Sequence, residues 1–252
     1  MDIRPDRIML LKVPIDIVPP EELSDLIFSL IPQMGGTPKS SQDIVLLSLW
    51  DLLRARKNME YREYVFNAAL VIPISKSLVS GAKFLAGKKV FRYMPFNFVI
   101  SLLSILEKKE YPVYLLGGRR QVLKKTEKNI HSTFPGLKIV GRCESYIRRQ
   151  EEPAVIEAIR KSSPSLLLAG KGIRGGELWI ARNSSRLNTG FRLWCSDLFD
   201  VFAEKKRRPS DALFERGLEC IVYCFRSPLK FFRIFPYIHY KLLLLFSRFS
   251  KK

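Results

Sequence analysis

Short apolar runs recur along the chain, separated by stretches in which apolar residues repeat at helical spacing. Between two such runs, for example, Val122, Thr126 and Ile130 recur every fourth residue, which predicts a helix. Strands that alternate with helices are typical of a parallel sheet, and strands buried on both faces are apolar throughout. The sequence therefore predicts an α/β fold in which helices flank a mainly parallel sheet. The predicted strands are residues 8–11, 44–49, 70–74, 113–116, 137–140, 165–169 and 192–195.

The chain is strongly basic, with 43 Lys and Arg residues against 24 Asp and Glu residues and a formal net charge of +19. A charge of this size favours polyanionic partners, namely nucleic acid, an anionic membrane surface or phosphorylated ligands. The hydrophobic content of 47% excludes intrinsic disorder for most of the chain. Because the sequence has two histidines and four cysteines, we expect no metal site, and we predict that the cysteines are buried and reduced.

The amino terminus and the apolar runs bear on where the protein works. Residues 1–7 are polar and lack the apolar region of a secretory signal. No apolar run approaches the roughly 18 residues that a membrane span requires. We therefore expect a cytoplasmic protein that does not cross the membrane.

The composition changes after about residue 205. Beyond Glu219 the chain has seven Lys or Arg residues, nine aromatic residues and no Asp or Glu. We predict a core of residues 1–204 and an appendage of residues 205–252 that associates with an anionic membrane surface. The alternative is that the appendage packs against the core or against an oligomer partner. The leucines at 242–245 suit lipid better than a phosphate backbone, so nucleic acid is the less favoured partner.

Two of the predicted strands end in glycine-containing turns, Gly117-Gly118 and Gly170-Lys171-Gly172. Ligands of open parallel sheets bind outside the carboxyl ends of the strands. Glycines there let backbone N–H groups approach an anion closely, and the N-terminus of the following helix favours negative charge. The turns therefore predict a nucleotide or diphosphate site. The alternative is that they are tight connections from strand to helix.

Several short motifs occur in a defined order between about residue 8 and about residue 235. They are Val-Pro-Ile-Asp at 13–16, Ala-Arg-Lys at 55–57, Arg92, Tyr-Pro-Val-Tyr-Leu-Leu-Gly-Gly at 111–118, Phe-Pro-Gly-Leu-Lys-Ile-Val-Gly at 134–141, Glu-Leu-Trp-Ile-Ala-Arg-Asn at 177–183, Phe-Asp at 199–200 and Gly-Leu-Glu at 217–219. In these motifs and their spacing, the chain resembles the WecG/TagA/CpsF family of glycosyltransferases.

The resemblance implies a bacterial enzyme of cell-envelope polysaccharide synthesis. Such an enzyme transfers an N-acetylmannosamine-like sugar from a UDP donor to a polyprenyl-diphosphate-linked acceptor. It implies a Rossmann-like core with a basic helical C-terminal appendage, peripherally associated with the inner face of the cytoplasmic membrane. It implies no nicotinamide cofactor and no metal. A homo-oligomer is a further partner that the sequence leaves open.

The chain departs from the family at polar positions. The family places its proposed catalytic aspartate in a Pro-Asp-Gly turn after the third strand, and Ile74 stands at that position here. The family's Thr-Leu-Asn motif aligns with residues 46–48, where Ser48 keeps a hydroxyl. Arg174 and Gly176 replace the proline and the glutamine of the loop after the strand at 165–169, and of a further polar segment the arginine, Arg92, is retained.

Isoleucine cannot accept a proton, and the loss of a general base slows a reaction by about 10²–10⁴-fold, so two hypotheses stay open. In the first, the protein is a transferase with a different base; the catalytic residue is unknown, and the candidates are Asp43, Asp51, Asp197 and Asp200. Asp200 matches a family Phe-Asp, although a helix cap is the favoured interpretation of this residue. In the second, the protein is an impaired member that binds a nucleotide sugar or acts as a scaffold.

The resemblance and the glycine-containing turns together give a set of candidate substrate-binding residues. Arg92 is expected to neutralise a diphosphate, and its alternative role is that of a solvated loop charge. Two arginines of the appendage are expected to close over the donor diphosphate, or to be attracted to the membrane surface. Glu177 and Trp179 are expected to hold their loop and helix in place. The full set is Ser48, Arg92, Gly117, Gly118, Gly170, Lys171, Gly172, Arg208 and Arg216.

Overall fold

The computed structural model describes residues 5–30, 43–145, 148–208, 210–217 and 234–249. The strands in these residues are β1 (Asp6–Leu10), β2 (Val13–Ile17), β3 (Asp43–Leu47), β4 (Leu70–Pro73), β5 (Val113–Leu116), β6 (Ile139–Cys143), β7 (Leu166–Ala169) and β8 (Phe191–Trp194). The helices are α1 (Leu23–Leu30), α2 (Leu49–Lys57), α3 (Met59–Asn67), α4 (Lys76–Ala86), α5 (Pro95–Lys108), α6 (Arg120–Thr133), α7 (Glu152–Ser162), α8 (Glu177–Arg182), α9 (Ser184–Leu187), α10 (Leu198–Phe202), α11 (Asp211–Arg216) and α12 (Ile234–Phe249).

Six of the strands form one parallel sheet in the order β4-β3-β8-β7-β5-β6. This arrangement confirms the α/β prediction and is Rossmann-like. Neighbouring strands β7 and β8 pair over four residues, whereas β3 and β8 pair at two positions, Asp43 with Arg192 and Ile44 with Leu193. In β3 both positions lie at the amino end, so the carboxyl part of β3 is not joined to β8 by a ladder.

The inner strands of the sheet are mainly apolar because both faces of the sheet are covered by helices. On one face, Ile44, Leu168 and Leu193 pack with residues of α1, α5, α6 and α10. On the other face, Val45 and Leu47 pack with residues of α2, α3 and α4. The chain therefore leaves β3 toward one face through α2 and leaves β8 toward the other through α10. The gap between β3 and β8 is accordingly the topological switch point of the sheet.

The first predicted strand, residues 8–11, is not part of the parallel sheet. Strand β1 instead pairs with β2 in a separate antiparallel hairpin, and β2 was not predicted as a strand. The hairpin closes through Leu11 and Lys12, whose φ values of 50° and 67° are those of a primed two-residue turn. Buried Asp16 fixes the hairpin to the sheet, because its carboxylate accepts hydrogen bonds from Arg7 Nε at 2.6 Å and from the backbone N–H of Val71 at 2.6 Å.

The described part of the predicted appendage contains two helices, α11 and α12. Helix α12 packs against α4 and α2, where Tyr240 and Leu244 are buried. The Tyr240 hydroxyl donates a hydrogen bond to the carbonyl oxygen of Ser77 at 2.9 Å. The remainder of the appendage, with Cys220 and Cys224, lies outside the described residues, and the boundary at residue 205 stays a prediction. Among the helices that the structure describes, none combines the length and apolar character needed to cross a membrane.

Candidate functional site

A cavity of about 400 Å³ opens at the gap between β3 and β8. Residues from both strands and from the turns that follow them form its wall, together with side chains of α2, α3 and α8. Ligands of doubly wound sheets bind at this point, so the cavity is the candidate site. The polar residues in its wall are Ser48, Asp51, Tyr61, Tyr64, Glu177, Ser196 and Asp197.

Ser48 and Asp51 form a capping box at the start of α2. The Ser48 hydroxyl donates to Asp51 Oδ2 at 2.5 Å, and the Ser48 N–H donates to the same oxygen at 2.9 Å. In return, Ser48 Oγ accepts a hydrogen bond from the Asp51 N–H at 3.3 Å. The predicted binding residue and the candidate base are therefore bonded to one another, and together they hold the N-terminus of α2 at the cavity.

Ile74 lies in the wall of the cavity, directly after β4. Its backbone N–H donates to the carbonyl oxygen of Leu47 at 2.9 Å, which ties the turn to the end of β3. The position where the family carries its aspartate thus faces the candidate site, and a hydrocarbon side chain occupies it.

Arg92 joins the end of β4 to helix α11. Its Nε donates to the carbonyl oxygen of Ile74 at 2.8 Å, and its Nη1 donates to the carbonyl oxygen of Phe214 at 2.5 Å. Its guanidinium also lies 3.6 Å from the centre of the Phe214 ring. The Arg92 side chain predicted to bind a diphosphate therefore fastens part of the appendage beside the cavity in this structure.

The backbone N–H groups of the first glycine-containing turn donate to other loops. Gly117 donates to the carbonyl oxygen of Cys143, and Gly118 donates to that of Lys171, each at 2.8 Å. A Cβ atom on Gly117 would lie 2.7 Å from the carbonyl oxygen of Gly170, so the close approach of the two loops requires glycine there. These N–H groups connect the loops at the carboxyl edge of the sheet, which agrees with the alternative interpretation of the turns as tight connections from strand to helix.

The second glycine-containing turn is bonded in the same way. Gly170 donates to the carbonyl oxygen of Leu116 at 2.8 Å. The Lys171 ammonium forms an ion pair with Asp200, and Gly172 follows in the same turn with a φ of 96°. The cation predicted to meet a phosphate is therefore paired with a carboxylate in this structure.

The four candidate carboxylates separate into two groups. Asp51 and Asp197 line the cavity. Asp43 stands at the amino end of β3, where it forms a buried bidentate ion pair with Arg192, at 2.8 Å and 3.1 Å. Asp200 lies within the first turn of α10 and pairs with Lys171, so the interpretation of this residue as a helix cap is wrong.

Asp197 is more exposed than Glu177, the other cavity carboxylate that forms an ion pair. Its side chain is 49% exposed and forms an ion pair with Lys206. The carboxylate of Glu177, by comparison, is 13% exposed and pairs with Arg54. The guanidinium of Arg54 also lies 4.1 Å from the centre of the Tyr61 ring, so this side of the wall is held by three mutually packed side chains.

The sequence analysis did not single out Tyr61 and Tyr64. Burial raises the pKa of both phenols, and the nearby carboxylates of Asp51 for Tyr61 and of Asp43 for Tyr64 raise it further. Both tyrosines therefore face the cavity region as neutral phenols. Their spacing of three residues on one apolar helical face was the available signal, but it is equally typical of ordinary core residues.

The two arginines of the appendage lie outside the cavity wall. Arg208 Nη1 donates to Asn97 Oδ1 at 2.9 Å, close to Pro95 of the wall. Arg216 is exposed at the end of α11. Of the predicted substrate-binding set, Ser48 is the member that lines the cavity among the described residues.

The thiol of Cys195 contributes no anion to the wall. Desolvation by the surrounding core, followed by the charge of Asp197, raises its pKa to about 12. Trp179 Nε1 donates to Glu152 Oε1 at 2.6 Å, which fastens α8 to α7 in the supporting role expected for this residue. Among the described residues, no three His, Cys, Asp or Glu side chains come together as a set of metal ligands.

The fold and the cavity define an α/β protein with a candidate ligand site at the switch point of a parallel sheet. The family model described as "Glycosyl transferase WecG/TagA/CpsF family" matches residues 8–252, and the chain belongs to this family of glycosyltransferases.

Two curated relatives carry the same name, N-acetylglucosaminyldiphosphoundecaprenol N-acetyl-beta-D-mannosaminyltransferase. The chain is similar to the protein of Bacillus spizizenii, with 22% identity over 180 residues that cover 71% of this chain and 69% of the relative. It is also similar to the protein of Bacillus subtilis, with 21% identity over 198 residues that cover 79% of this chain and 77% of the relative.

Proposed function

We propose that the protein transfers an N-acetylmannosamine-like sugar from a UDP donor to a polyprenyl-diphosphate-linked acceptor in cell-envelope polysaccharide synthesis. The observation that carries the proposal is the family match over residues 8–252. The names of both relatives, which state N-acetylmannosaminyl transfer to N-acetylglucosaminyldiphosphoundecaprenol, support it. The cavity at the switch point is the site we assign to this reaction.

We assign the general base to Asp197. The acceptor hydroxyl must lose a proton as it attacks the anomeric carbon, and Ile74 cannot take it. Asp197 offers a carboxylate that is nearly half exposed at the wall, whereas Asp51 Oδ2 already accepts two hydrogen bonds from Ser48. The ammonium of Lys206 orients the Asp197 carboxylate. Arg208, beside the cavity wall, is our candidate for the charge of the leaving diphosphate.

The test combines calorimetry with a transfer assay on a polyprenyl-diphosphate-linked N-acetylglucosamine. We expect wild type to bind UDP and UDP-N-acetylmannosamine with micromolar dissociation constants. The Asp197→Asn variant should bind them equally well and lose about 10²–10⁴-fold in kcat. The matched Asp51→Asn variant should lose less. A transfer rate unchanged in Asp197→Asn and lost in Asp51→Asn would move the base to Asp51.

A second candidate function follows from Ile74. Because hydrocarbon replaces the family's aspartate in the cavity wall, the protein could retain nucleotide-sugar binding without transfer. Calorimetry with UDP distinguishes these two candidate functions, transfer and binding without transfer, from a function that does not involve a nucleotide sugar. UDP binding without transfer by a well-folded sample indicates an impaired member, and the absence of UDP binding contradicts both proposals.

We also propose that the protein associates peripherally with the inner face of the cytoplasmic membrane through helix α12. One side of α12 packs on the core, and the other exposes apolar side chains that are between 46% and 73% accessible. They repeat at intervals of three and four residues, as in a helix that lies in a membrane interface. We call them the α12 stripe: Phe235, Ile238, Leu242, Leu245, Phe246 and Phe249.

Flotation with vesicles that contain phosphatidylglycerol tests this association. A variant with Phe235, Phe246 and Phe249 all replaced by serine should float at least tenfold less than wild type. Val140→Ser is the control, because Val140 is an exposed apolar residue on β6, at the edge of the sheet opposite β4. Equal flotation of the triple variant and wild type would contradict the role of the α12 stripe.

A further inference from the structure

A second depression, of about 690 Å³, lies where α12 meets the β1–β2 turn and helices α2, α3 and α4. We call it the α12 groove. Its less exposed lining is mainly apolar and consists of Leu11, Leu85 and Leu243 together with Ser247. Its exposed lining includes three cations, Lys12, Arg56 and Arg62, and among the described residues that line it there is no acidic side chain.

The three cations reach the groove from the β1–β2 turn, from α2 and from α3. Lys12 sits in the turn of the hairpin with a φ of 67°, and Arg56 Nη1 donates to the carbonyl oxygen of the adjacent Leu11 at 2.5 Å. The guanidinium of Arg62 lies 5.4 Å from the centre of the Phe66 ring, which also lines the groove. Within the residues that the structure describes, none of the three cations forms an ion pair with a carboxylate. Their charge is therefore available to an anion.

The α12 groove is continuous with the α12 stripe through Phe246, which belongs to both. The α12 groove is separate from the cavity between β3 and β8, because no described residue lines both of them. A ligand of the groove would therefore reach it from the face that we propose meets the membrane. That ligand needs an anionic group for the cations and a hydrocarbon chain for the leucines.

We propose that the α12 groove binds one anionic phospholipid of the membrane. The phosphate contacts Lys12, Arg56 and Arg62, and one acyl chain lies along Leu85, Leu243 and Phe246. The volume of the groove is within the range of small-molecule sites. The inference rests on the proposed membrane association and adds to it a defined lipid at a fixed position.

The test is calorimetric titration of the full-length protein with short-chain phosphatidylglycerol below its micelle concentration. We expect saturable binding with a stoichiometry of one. The Lys12→Gln/Arg62→Gln variant should bind about 25-fold more weakly, since each cation near a lipid phosphate is worth about fivefold. Lys124→Gln/Lys128→Gln, which removes two exposed cations from α6, is the matched control and should bind like wild type.

Titrations with two other ligands, together with the flotation assay, determine which part of the lipid the groove recognises. Short-chain phosphatidylcholine and glycerol 3-phosphate should each bind at least tenfold more weakly than phosphatidylglycerol. Equal binding of glycerol 3-phosphate overturns the acyl-chain contact, and equal weakening in the control variant overturns the groove in favour of diffuse surface charge. Wild type that floats with vesicles but does not bind the short-chain lipid overturns the groove alone. Failure of wild type to float contradicts the membrane proposal as well.

Discussion

Every carboxylate in the cavity wall is bonded to a neighbouring side chain. Asp51 accepts hydrogen bonds from Ser48, Asp197 pairs with Lys206, and Glu177 pairs with Arg54. A carboxylate that is engaged in this way must leave its partner before it can take a proton from an acceptor. A base at position 74 would stand on the wall without needing such a rearrangement, because the Ile74 side chain forms no polar contact.

We predict that Ile74→Asp increases the rate of sugar transfer. The new carboxylate would face the cavity at the position where the family carries its proposed base. A general base is worth about 10²–10⁴-fold, and imperfect placement should leave an increase of roughly tenfold or more in kcat. A radiolabelled transfer assay measures it.

Ile74→Asn is the matched control for that variant, because asparagine has nearly the same shape as aspartate and cannot act as a base at neutral pH. The control should leave the rate at the wild-type level. An increase of the same size in both variants would mean that polarity at position 74, and not proton transfer, limits the reaction.

A second prediction at this scale concerns the buried pair of Asp43 and Arg192, whose side chains are 5% and 7% exposed. Arg192→Met leaves a buried carboxylate without its cation. The free energy of unfolding should therefore fall by about 3–5 kcal/mol, as for other buried pairs that lose one partner. Urea denaturation followed by circular dichroism measures the loss.

The control removes an arginine from an exposed pair. Arg160 contacts Glu157 one turn away on the surface of α7, and Arg160→Met should leave the urea midpoint unchanged. If both variants shift the midpoint equally, burial of the Asp43–Arg192 pair has no special weight in stability.

At the scale of the elements, the packing of α12 against α4 requires a small residue in α4. A Cβ atom on Gly81 of α4 would lie 2.0 Å from the Tyr240 hydroxyl oxygen and 3.3 Å from a Leu244 methyl carbon. Alanine normally stabilises a helix relative to glycine by about 0.5–1 kcal/mol. At this position the contact with α12 opposes that gain.

We predict that Gly81→Ala lowers the free energy of unfolding by about 1–3 kcal/mol, because the added methyl overpacks the contact between α4 and α12. Amide hydrogen exchange within 234–249 should become faster. Tyr240→Phe in the same chain removes the clashing oxygen and should recover part of the loss. A double variant less stable than Gly81→Ala alone would contradict this account.

The strands of the sheet were predictable because burial on both faces leaves a continuous apolar run, as at Val113–Leu116. It was harder to predict from the sequence which strands belong to the parallel sheet. Residues 8–10 of β1 are also apolar, and what removes this strand from the parallel sheet is the turn at Leu11 and Lys12 together with the buried carboxylate of Asp16. These constraints depend on contacts with Arg7 and Val71, which a local pattern does not reveal.

The edge of the sheet that carries the candidate site was predictable, but the hydrogen bonds at this edge were not. Strand order places the family's catalytic position at the carboxyl edge, and Ile74 does line the cavity. The glycine-containing turns also lie at this edge. However, the partner of the Gly118 N–H is the carbonyl oxygen of Lys171, which is distant in sequence, so its use in loop contacts follows from the assembled sheet.

At the scale of the whole molecule, buried phenol and thiol groups, which burial keeps protonated, affect the stability of the fold at high pH. Burial raises the pKa of Tyr93 and Tyr114 to about 12, and that of Cys195 also to about 12. The unfolded chain releases these protons at lower pH, near 9.0 for the thiol and 10.0 for the phenols. The stability that these groups contribute is therefore complete below pH 9 and is lost as pH rises toward 12.

We predict that the urea midpoint falls steadily between pH 9 and pH 12. Replacing Cys195 with serine removes one of the responsible groups and should make the decline shallower. The matched control is Cys143→Ser, which removes a thiol on the edge strand β6 of which burial also raises the pKa. A midpoint that stays level across this range would contradict the burial of these side chains.

The short ladder between β3 and β8 is a weak connection between the two halves of the sheet. Strand β3 is joined to β8 at the amino end of β3 by the pairs of Asp43 with Arg192 and Ile44 with Leu193, while the ladders from β8 to β7 and from β7 to β5 each run for four residues. Along the carboxyl part of β3, a tilt between the two halves of the sheet would therefore widen the mouth of the cavity without breaking a ladder bond.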